Sequence, residues 1–478
     1  MISAKRGRSA REDRPKDQPQ KLPAPISSSF KKNNPAAPTS VTAKKSARLT
    51  LWPLIVATFF MVSGGTYGTE DIVRGAGYGG AILILLLTPI VWSLPTAFMI
   101  GELASALPEE GGYYAWVRHA LGNFWGFQEA WLSLLASVFD MAIYPTLFVL
   151  YLDRLFPWFS LNHRGIVVGV IVVAACATLN IAGIKVVSTT SLWLFALLSA
   201  PFAIIVVLAP FKYGALAHAA SSPSSVQVDL MGGLLVAMWN YMGWDNASTI
   251  ATEVDQPQST YPRAILGSVL LVAVSYILPV AAMSLTRLSP TAWETGSWAD
   301  IAGMLGGPLL RTGLVLGGMM SAFGMFNALV MSYSRLPYAM AQDGMLPAVF
   351  AKVTRSAKAP WVSILVLATG WALCLGFGFE RLVTLDILIY GLSLLLEFVA
   401  LVVLRITQPA LPRPFRVPGG MFGVVLVGLL PMLLLAFAVT HAEHEQILGI
   451  SSFLFGSLMI GVGFAAYLID ATFAKRLR

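Results

Sequence analysis

The dominant pattern along the chain is a succession of apolar runs near 20 residues, separated by short polar connections. They fall at 51–73, 79–104, 124–151, 164–184, 187–209, 231–251, 264–286, 308–333, 361–379, 383–404, 421–440 and 447–469. About 20 residues rising 1.5 Å each cross about 30 Å of hydrocarbon, so the pattern predicts an all-α integral membrane domain of twelve transmembrane helices over 51–478. Two runs differ from the rest. Ser63-Gly64-Gly65-Thr66-Tyr67-Gly68-Thr69-Glu70-Asp71 interrupts the first at mid-depth, and Trp239-Asn240-Tyr241-Met242-Gly243-Trp244-Asp245-Asn246 interrupts the sixth. Breaks five helices apart are the sequence sign of an inverted repeat, since unwound backbone is tolerated in lipid only where it lines a cavity. Spans 1–5 (about 51–209) and 6–10 (about 231–404) are then the repeats, with helices 1 and 6 discontinuous and helices 11 and 12 (about 421–469) as additions. The plainer reading, that Gly64, Gly65 and Gly68 only let helices pack closely, fits one break better than it fits a pair with acids beside both.

Composition removes the soluble classes. Of 478 residues 56% are hydrophobic and 12% charged, with a mean hydropathy of +0.71, against roughly 25% charged in an ordinary soluble domain. The net charge of +8 is a property of one end: residues 1–50 hold 12 Lys/Arg and 3 Asp/Glu, and the other 428 hold 20 and 21. That segment is rich in Pro, Ser, Lys and Arg and has no apolar run, so it reads as a disordered basic cytoplasmic tail rather than a nucleic-acid module. Placing it inside assigns 25 Lys/Arg to the inner side and 7 to the outer, which puts both termini in the cytoplasm and the protein in the plasma membrane. Cys176 and Cys374 lie in apolar runs, and the five histidines form no HExxH. Neither disulfide framework, metal spacing nor enzyme chemistry is indicated.

Acids inside spans carry the chemical signal. Each costs about 2.5–3.5 kcal/mol even on the lenient insertion scale, so each needs a partner or a purpose. Glu70 and Asp71 follow the first break, Asp140 lies in span 3, Asp245 in the second break and Glu397 in span 10. No Lys stands between Lys45 and Lys185, and spans 3, 5, 6 and 10 hold no interior Lys or Arg. Unpaired carboxylates around a cavity are neutralised by protons or by a cationic solute, which points to an organic cation or a proton as cargo. Local readings compete. Arg74 stands four positions from Glu70, an ion-pair spacing, and Asp140 with Tyr144 before Pro145 fits a kink hydrogen bond. Asp386, Tyr390, Ser393 and Glu397 form one polar stripe, with Glu397 a proton relay or a gate hydrogen bond. Trp239, Tyr241 and Trp244 offer ring faces that suit a cation.

The stretches VSGGTYGTED (62–71), LPEEGGYYAWVRHALGNFWGFQEAW (107–131), ATEVDQPQSTYPRA (251–264) and MAQDGMLPAVFAK (340–352) together resemble the amino acid–polyamine–organocation superfamily of transporters, over nearly everything after residue 50. Asp140, Tyr144, Pro145 and Leu396-Glu397-Phe398 are most similar to the plant-type polyamine uptake transporters. The resemblance implies a LeuT-like five-plus-five inverted repeat that works by alternating access about the two breaks. Amino-acid members of that superfamily carry Gly-Ser-Gly at the first break, leaving N–H groups for a substrate carboxylate. This chain has Gly68-Thr69-Glu70 there, and a built-in carboxylate repels an α-carboxylate while attracting an amine. The implied function is import of putrescine, spermidine or a related cation with protons; the alternative is an amino-acid permease or exchanger, with Glu70 paired to Arg74. A further resemblance, to the arginine/agmatine antiporter, gives Trp239 the role of a cap and Asp245 that of a proton sensor. The span-5 Lys of proton-coupled members is absent between Lys185 and Lys212. Gly65, Tyr67, Glu70, Asp140, Tyr144, Trp239, Trp244, Asp245 and Asn327 are the expected substrate residues, and Asp245 and Glu397 the proton-coupling ones. No organic cofactor is expected; the proton-motive force drives the cycle, and sodium stays open through Ser321, Ser332 or Ser334. The partners are the amine or amino-acid substrate and membrane lipid.

Overall fold

A computed structural model describes residues 50–476 apart from 110, 160–162, 184–190, 218–228, 247, 249–253, 442–445 and 448. The basic tail over 1–49, Lys185 and residues 247 and 249–251 at the end of the expected span 6 lie outside the described residues.

The apolar runs become helices. In chain order they are α1 (Leu51–Val62), α2 (Glu70–Thr88), α3 (Leu94–Ala106), α4 (Tyr113–Leu121), α5 (Asn123–Leu155), α6 (His163–Ala182), α7 (Ser191–Leu208), α8 (Leu230–Asn240), α9 (Pro257–Ser284), α10 (Trp298–Gln342), α11 (Trp361–Leu373), α12 (Phe379–Thr407), α13 (Gly420–His441) and α14 (Ser452–Arg476). One π-helical turn, Pro89–Ser93, joins α2 to α3, and a small antiparallel hairpin pairs Gln446–Ile447 with Ile450–Ser451 ahead of α14. Among the described residues, eight stretches are long and apolar enough to cross a bilayer: Glu70–Ala106, Asn123–Leu155, His163–Ala182, Phe195–Lys212, Gln258–Ser284, Trp298–Gln342, Phe379–Thr407 and Gly420–Ala438. Leu51–Val62, Trp361–Leu373 and Leu454–Leu468 are apolar but shorter.

The differences from the twelve runs have local causes. The first run is cut at Ser63, where α1 ends, and resumes at Glu70; its second half continues through a corner at Gly77 (φ 65°) into the next. The eighth begins ten residues before position 308, because α10 turns a corner at Gly307 (φ 77°) with Pro308 behind it. The ninth stops at Leu373 instead of 379, in turns that lead into α12.

Helix α5 is the centre of the bundle. It packs against α10 and α12 as its principal partners and against α4, α6, α11 and α14 around them. Its most apolar window is 78% buried, against 33% for α13 at the periphery. Leu309, Leu373 and Phe422 are exposed on the outside, the arrangement expected where lipid rather than water is the surrounding solvent. Ion pairs sit toward the helix ends. Glu102 takes Arg405 through both oxygens, Nε at 2.8 Å and NH2 at 2.5 Å, together with Arg413 Nε at 3.3 Å. Arg154 holds Glu294 and Asp300 at 2.8 Å each, Arg311 holds Asp300 at 3.0 Å, and Arg118 pairs with Asp343.

Candidate functional site

Two unwound segments meet beside α5. Between α1 and α2, Gly65 (φ 99°) and Gly68 (φ 86°) take the left-handed backbone, and a Cβ on Gly68 would stand 3.2 Å from the Trp239 ring. Between α8 and α9, the helix stops at Asn240. Backbone released from a helix in lipid must find other partners, and here side chains supply them. The Gly64 carbonyl accepts from Ser321 Oγ at 2.6 Å, Thr66 from the Trp298 indole at 3.1 Å and Gly68 from the Asn240 amide at 3.3 Å. In the second segment the Asn240 carbonyl accepts from Tyr276 at 3.0 Å, Tyr241 from the Trp244 indole at 2.7 Å and from Ser93 at 3.2 Å, while Gly243 N–H donates to Tyr390 at 3.3 Å.

A narrow cavity lies between the segments. Ser63, Gly64 and Tyr67 of the first break, Tyr144 and Tyr151 of α5, Trp239 and Asn240 of α8, Tyr276 of α9 and Ser321 of α10 line it. Its free space holds roughly one water molecule, so the walls are closed in this conformation.

The wall is backed by carboxylates. Tyr151, which faces the cavity, donates to Glu70 Oε1 at 2.5 Å, and Gly296 N–H donates to the same oxygen at 3.0 Å. Glu70 is fully buried and its Oε2 has no partner among the described residues. On the other side Tyr144 and the Trp239 indole, both wall residues, donate to Asp140 Oδ1 at 3.0 and 3.2 Å, and Tyr333 donates to Oδ2 at 3.3 Å. Two acids thus stand one hydrogen bond behind the cavity surface, and neither has an ion pair among the described residues. Arg74 is exposed and makes no such pair with Glu70; the tyrosine and the backbone of the loop before α10 take the place the spacing offered it. Asp71, beside Glu70, accepts from Thr295 of that loop at 2.6 Å.

The expected residues divide accordingly. Tyr67, Tyr144 and Trp239 line the cavity, with Glu70 and Asp140 directly behind it; Gly65 shapes the break, its N–H donating to Ser63 Oγ at 3.1 Å. Trp244, Asp245, Asn327 and Glu397 are not brought to this wall. Trp244 is buried with its indole on the Tyr241 carbonyl, and Asn327 accepts from the Asn180 amide at 2.9 Å, a contact that ties α10 to α6. Asp245 accepts from Tyr390 of α12 at 2.9 Å, and Glu397 lies deeper along α12 with neither oxygen bonded among the described residues. Of the serines considered for sodium, Ser321 reaches the cavity but spends its hydroxyl on the first break. Ser332 bonds Asn246 at 3.0 Å, and Ser334 bonds its own helix at 3.3 Å.

Tyr151 escapes the sequence argument as a site group, and Glu129 and Asp386, buried acids away from the cavity wall, are not singled out there as site residues, although a signal exists for each. Tyr151 and Glu129 lie eleven positions either side of Asp140, the spacing that returns a side chain to the same helix face, and Asp386 heads the polar stripe of α12.

An apolar helical bundle with two unwound segments around a polar, carboxylate-backed cavity is the construction of a multi-pass membrane transporter, not an enzyme. The sequence signature described as amino acid permease matches residues 55–466. A probable polyamine transporter of Arabidopsis thaliana is 35% identical over 432 residues, covering 89% of this chain and 87% of its own length. A polyamine transporter of Oryza sativa subsp. japonica is 36% identical, over 82% of this chain and 73% of that protein. A serine/threonine exchanger of Bacillus subtilis (strain 168) is 26% identical, over 69% and 76%. The chain belongs to the amino acid permease family.

Proposed function

We propose that the protein is a secondary active importer of a polyamine or related organic cation, working by alternating access with protons as the coupling ion. Glu70 and Asp140 carry the reading: two buried acids backing one cavity, with no basic partner among the described residues. Each is already wired to a wall donor, Tyr151 on one side and Tyr144 with Trp239 on the other. An ammonium group entering between them replaces those donors and gains charge-assisted bonds, which are about twice as strong as neutral ones. Similarity to proteins named polyamine transporters supports the same cargo class. Asp245 and Glu397, buried and away from the cavity, are the proposed proton carriers. Twelve transmembrane helices in an inverted five-plus-five repeat, with both termini cytoplasmic, complete the proposal; the positions of the two breaks and the Lys/Arg excess on one side support it.

The amino-acid reading is held open by the similarity to the serine/threonine exchanger. Against it stands the first break itself, where Glu70 occupies the region that an α-carboxylate needs and the Gly65 N–H is already donated to Ser63.

Uptake of labelled spermidine into proteoliposomes, with pH and sodium gradients imposed separately, tests the proposal. Uptake driven by the pH gradient and blocked by excess putrescine, but not by leucine, is expected. Inhibition by leucine with no effect of putrescine overturns it in favour of an amino acid.

A further inference from the structure

Beyond the cavity, the interface between α5 and α12 carries a second set of acids. The two helices run antiparallel in a register fixed by Ser133 and Ser393, whose hydroxyls meet at 2.8 Å, and by Ser393 reaching back to Glu129 Oε1 at 3.2 Å. Seven residues from that contact in one direction stand Asp140 on α5 and Asp386 on α12; four residues in the other stand Glu129 and Glu397. Asp245, bonded to Tyr390 at 2.9 Å, comes in from the second break between the two pairs. All five are buried. Asp386 lies in the field of Asp140 and Asp245, and Glu397 in that of Asp245 and Glu129. Both oxygens of Asp386, both of Glu397 and Oε2 of Glu129 have no partner among the described residues.

A further polar group points into the same space. Tyr113, from the start of α4, is 1% exposed, its hydroxyl has no partner among the described residues, and it feels the charges of Asp245, Glu129 and Glu397. Three arginines toward that end are committed elsewhere, Arg405 and Arg413 to Glu102 and Arg118 to Asp343. The Glu102 pocket shows how this fold neutralises a structural acid. The α5–α12 acids are left without that treatment.

We infer that this row of acids is an elongated subsite for the chain of a linear polyamine carrying three or more protonated nitrogens, whose leading amine sits at the cavity beside Asp140. The inference rests on the amine reading given above. Its basis is spacing. At 1.5 Å per residue, the Asp140–Asp386 pair and the Glu129–Glu397 pair are about 16 Å apart along the helices, and the Tyr390 level, where Asp245 is held, is about 6 Å from Asp386. Protonated nitrogens separated by three or four methylenes recur about every 5–6 Å in an extended chain. A triamine, spanning about 11 Å between its end nitrogens, therefore meets Asp386, Asp245 and then the Ser133–Ser393 level, where Glu129 Oε1 is held, while a diamine spans only from Asp386 to Asp245. A zwitterionic amino acid brings one ammonium and a carboxylate that the row repels. In the present conformation the row is closed, and it opens as the helices move apart toward the Arg405 end.

The test compares labelled spermidine with labelled putrescine uptake in proteoliposomes for the wild type, Asp386→Asn, Glu129→Gln and Glu70→Gln. Glu129→Gln, beyond the reach of a diamine, is expected to lower the spermidine-to-putrescine ratio about tenfold, whereas Asp386→Asn, at the level of the leading amine, is expected to lower both uptakes together. Glu70→Gln, which removes a contact to the leading amine, is expected to lower both uptakes together and leave the ratio in place. Size-exclusion profiles of the purified variants separate loss of fold from loss of function, and a variant that aggregates is replaced by Asp386→Ser or Glu129→Ser. A Glu129→Gln variant that loses both amines in equal proportion, or neither, overturns the inference while leaving the amine reading intact. Wild-type protein that carries neither amine overturns both.

Discussion

On the proposed reading, Glu70 is the residue on which selectivity turns. Its Oε1 is held by Tyr151 and by the Gly296 backbone while Oε2 has no partner among the described residues, so it is positioned without a basic partner. Glu70→Gln keeps the shape and the Tyr151 contact and removes the charge. Uptake of spermidine is expected to fall at least about tenfold, the equivalent of roughly 1.4 kcal/mol, with the unfolding temperature of the purified protein little changed. A variant that transports like the wild type removes Glu70 from the site. This residue was legible in the sequence because acids inside apolar runs are rare and each must be accounted for. Trp244 and Asn327 were less so. Helical spacing puts a side chain on a face, but whether an indole or an amide turns to a cavity or to a neighbouring carbonyl depends on the partner helix: Tyr241 takes one and Asn180 the other.

At the scale of elements, the two breaks hold the design together. The first is stitched to α10 through both Ser321 and Trp298, and the second to α9 and α12 through Tyr276 and Tyr390. A methyl group on Gly64 overlaps the Ser321 hydroxyl and meets Met325 Sδ at 2.6 Å. Gly64→Ala is therefore expected to destabilise the protein by about 1–3 kcal/mol, the usual range for overpacking, and to abolish uptake more than it lowers the melting temperature in detergent. An alanine variant with full transport contradicts the close approach of α10 to the break. Both breaks could be read from their Gly-rich and polar residues in otherwise apolar spans. The α5–α12 register could not, since a stripe on one helix names a face without naming what it faces; only the Ser133–Ser393 contact aligns Asp140 with Asp386 and Glu129 with Glu397. Corners at Gly77 and Gly307 were hidden for a similar reason, because an apolar run continues through them.

Among the described residues, the acids that hold ion pairs lie toward helix ends, whereas Glu70, Asp140, Asp245, Asp386 and Glu397, buried inside the bundle, hold none. Glu102, fully buried, is gripped by Arg405 and Arg413 and by the Val417 N–H at 2.7 Å, tying α3 to the end of α12 and the chain beyond it. Arg405→Ala leaves that carboxylate without its two-pronged partner and is expected to cost about 3–5 kcal/mol, read as a large drop in unfolding temperature with no change in the ranking of amines. A change in ranking without loss of stability contradicts a purely structural tie. The proposed sidedness is checked with Ser9→Cys and a membrane-impermeant maleimide, since Cys176 and Cys374 are both buried. Labelling is expected in inside-out vesicles only, and labelling in right-side-out vesicles reverses the assignment.

The central claim, that buried acids without basic partners make the cavity a receptacle for amines, is tested most directly by equilibrium binding of labelled spermidine to purified protein with unlabelled leucine as competitor. The account predicts saturable binding that leucine in large excess leaves in place and that Glu70→Gln weakens about tenfold. Displacement by leucine together with unaltered binding in Glu70→Gln contradicts it.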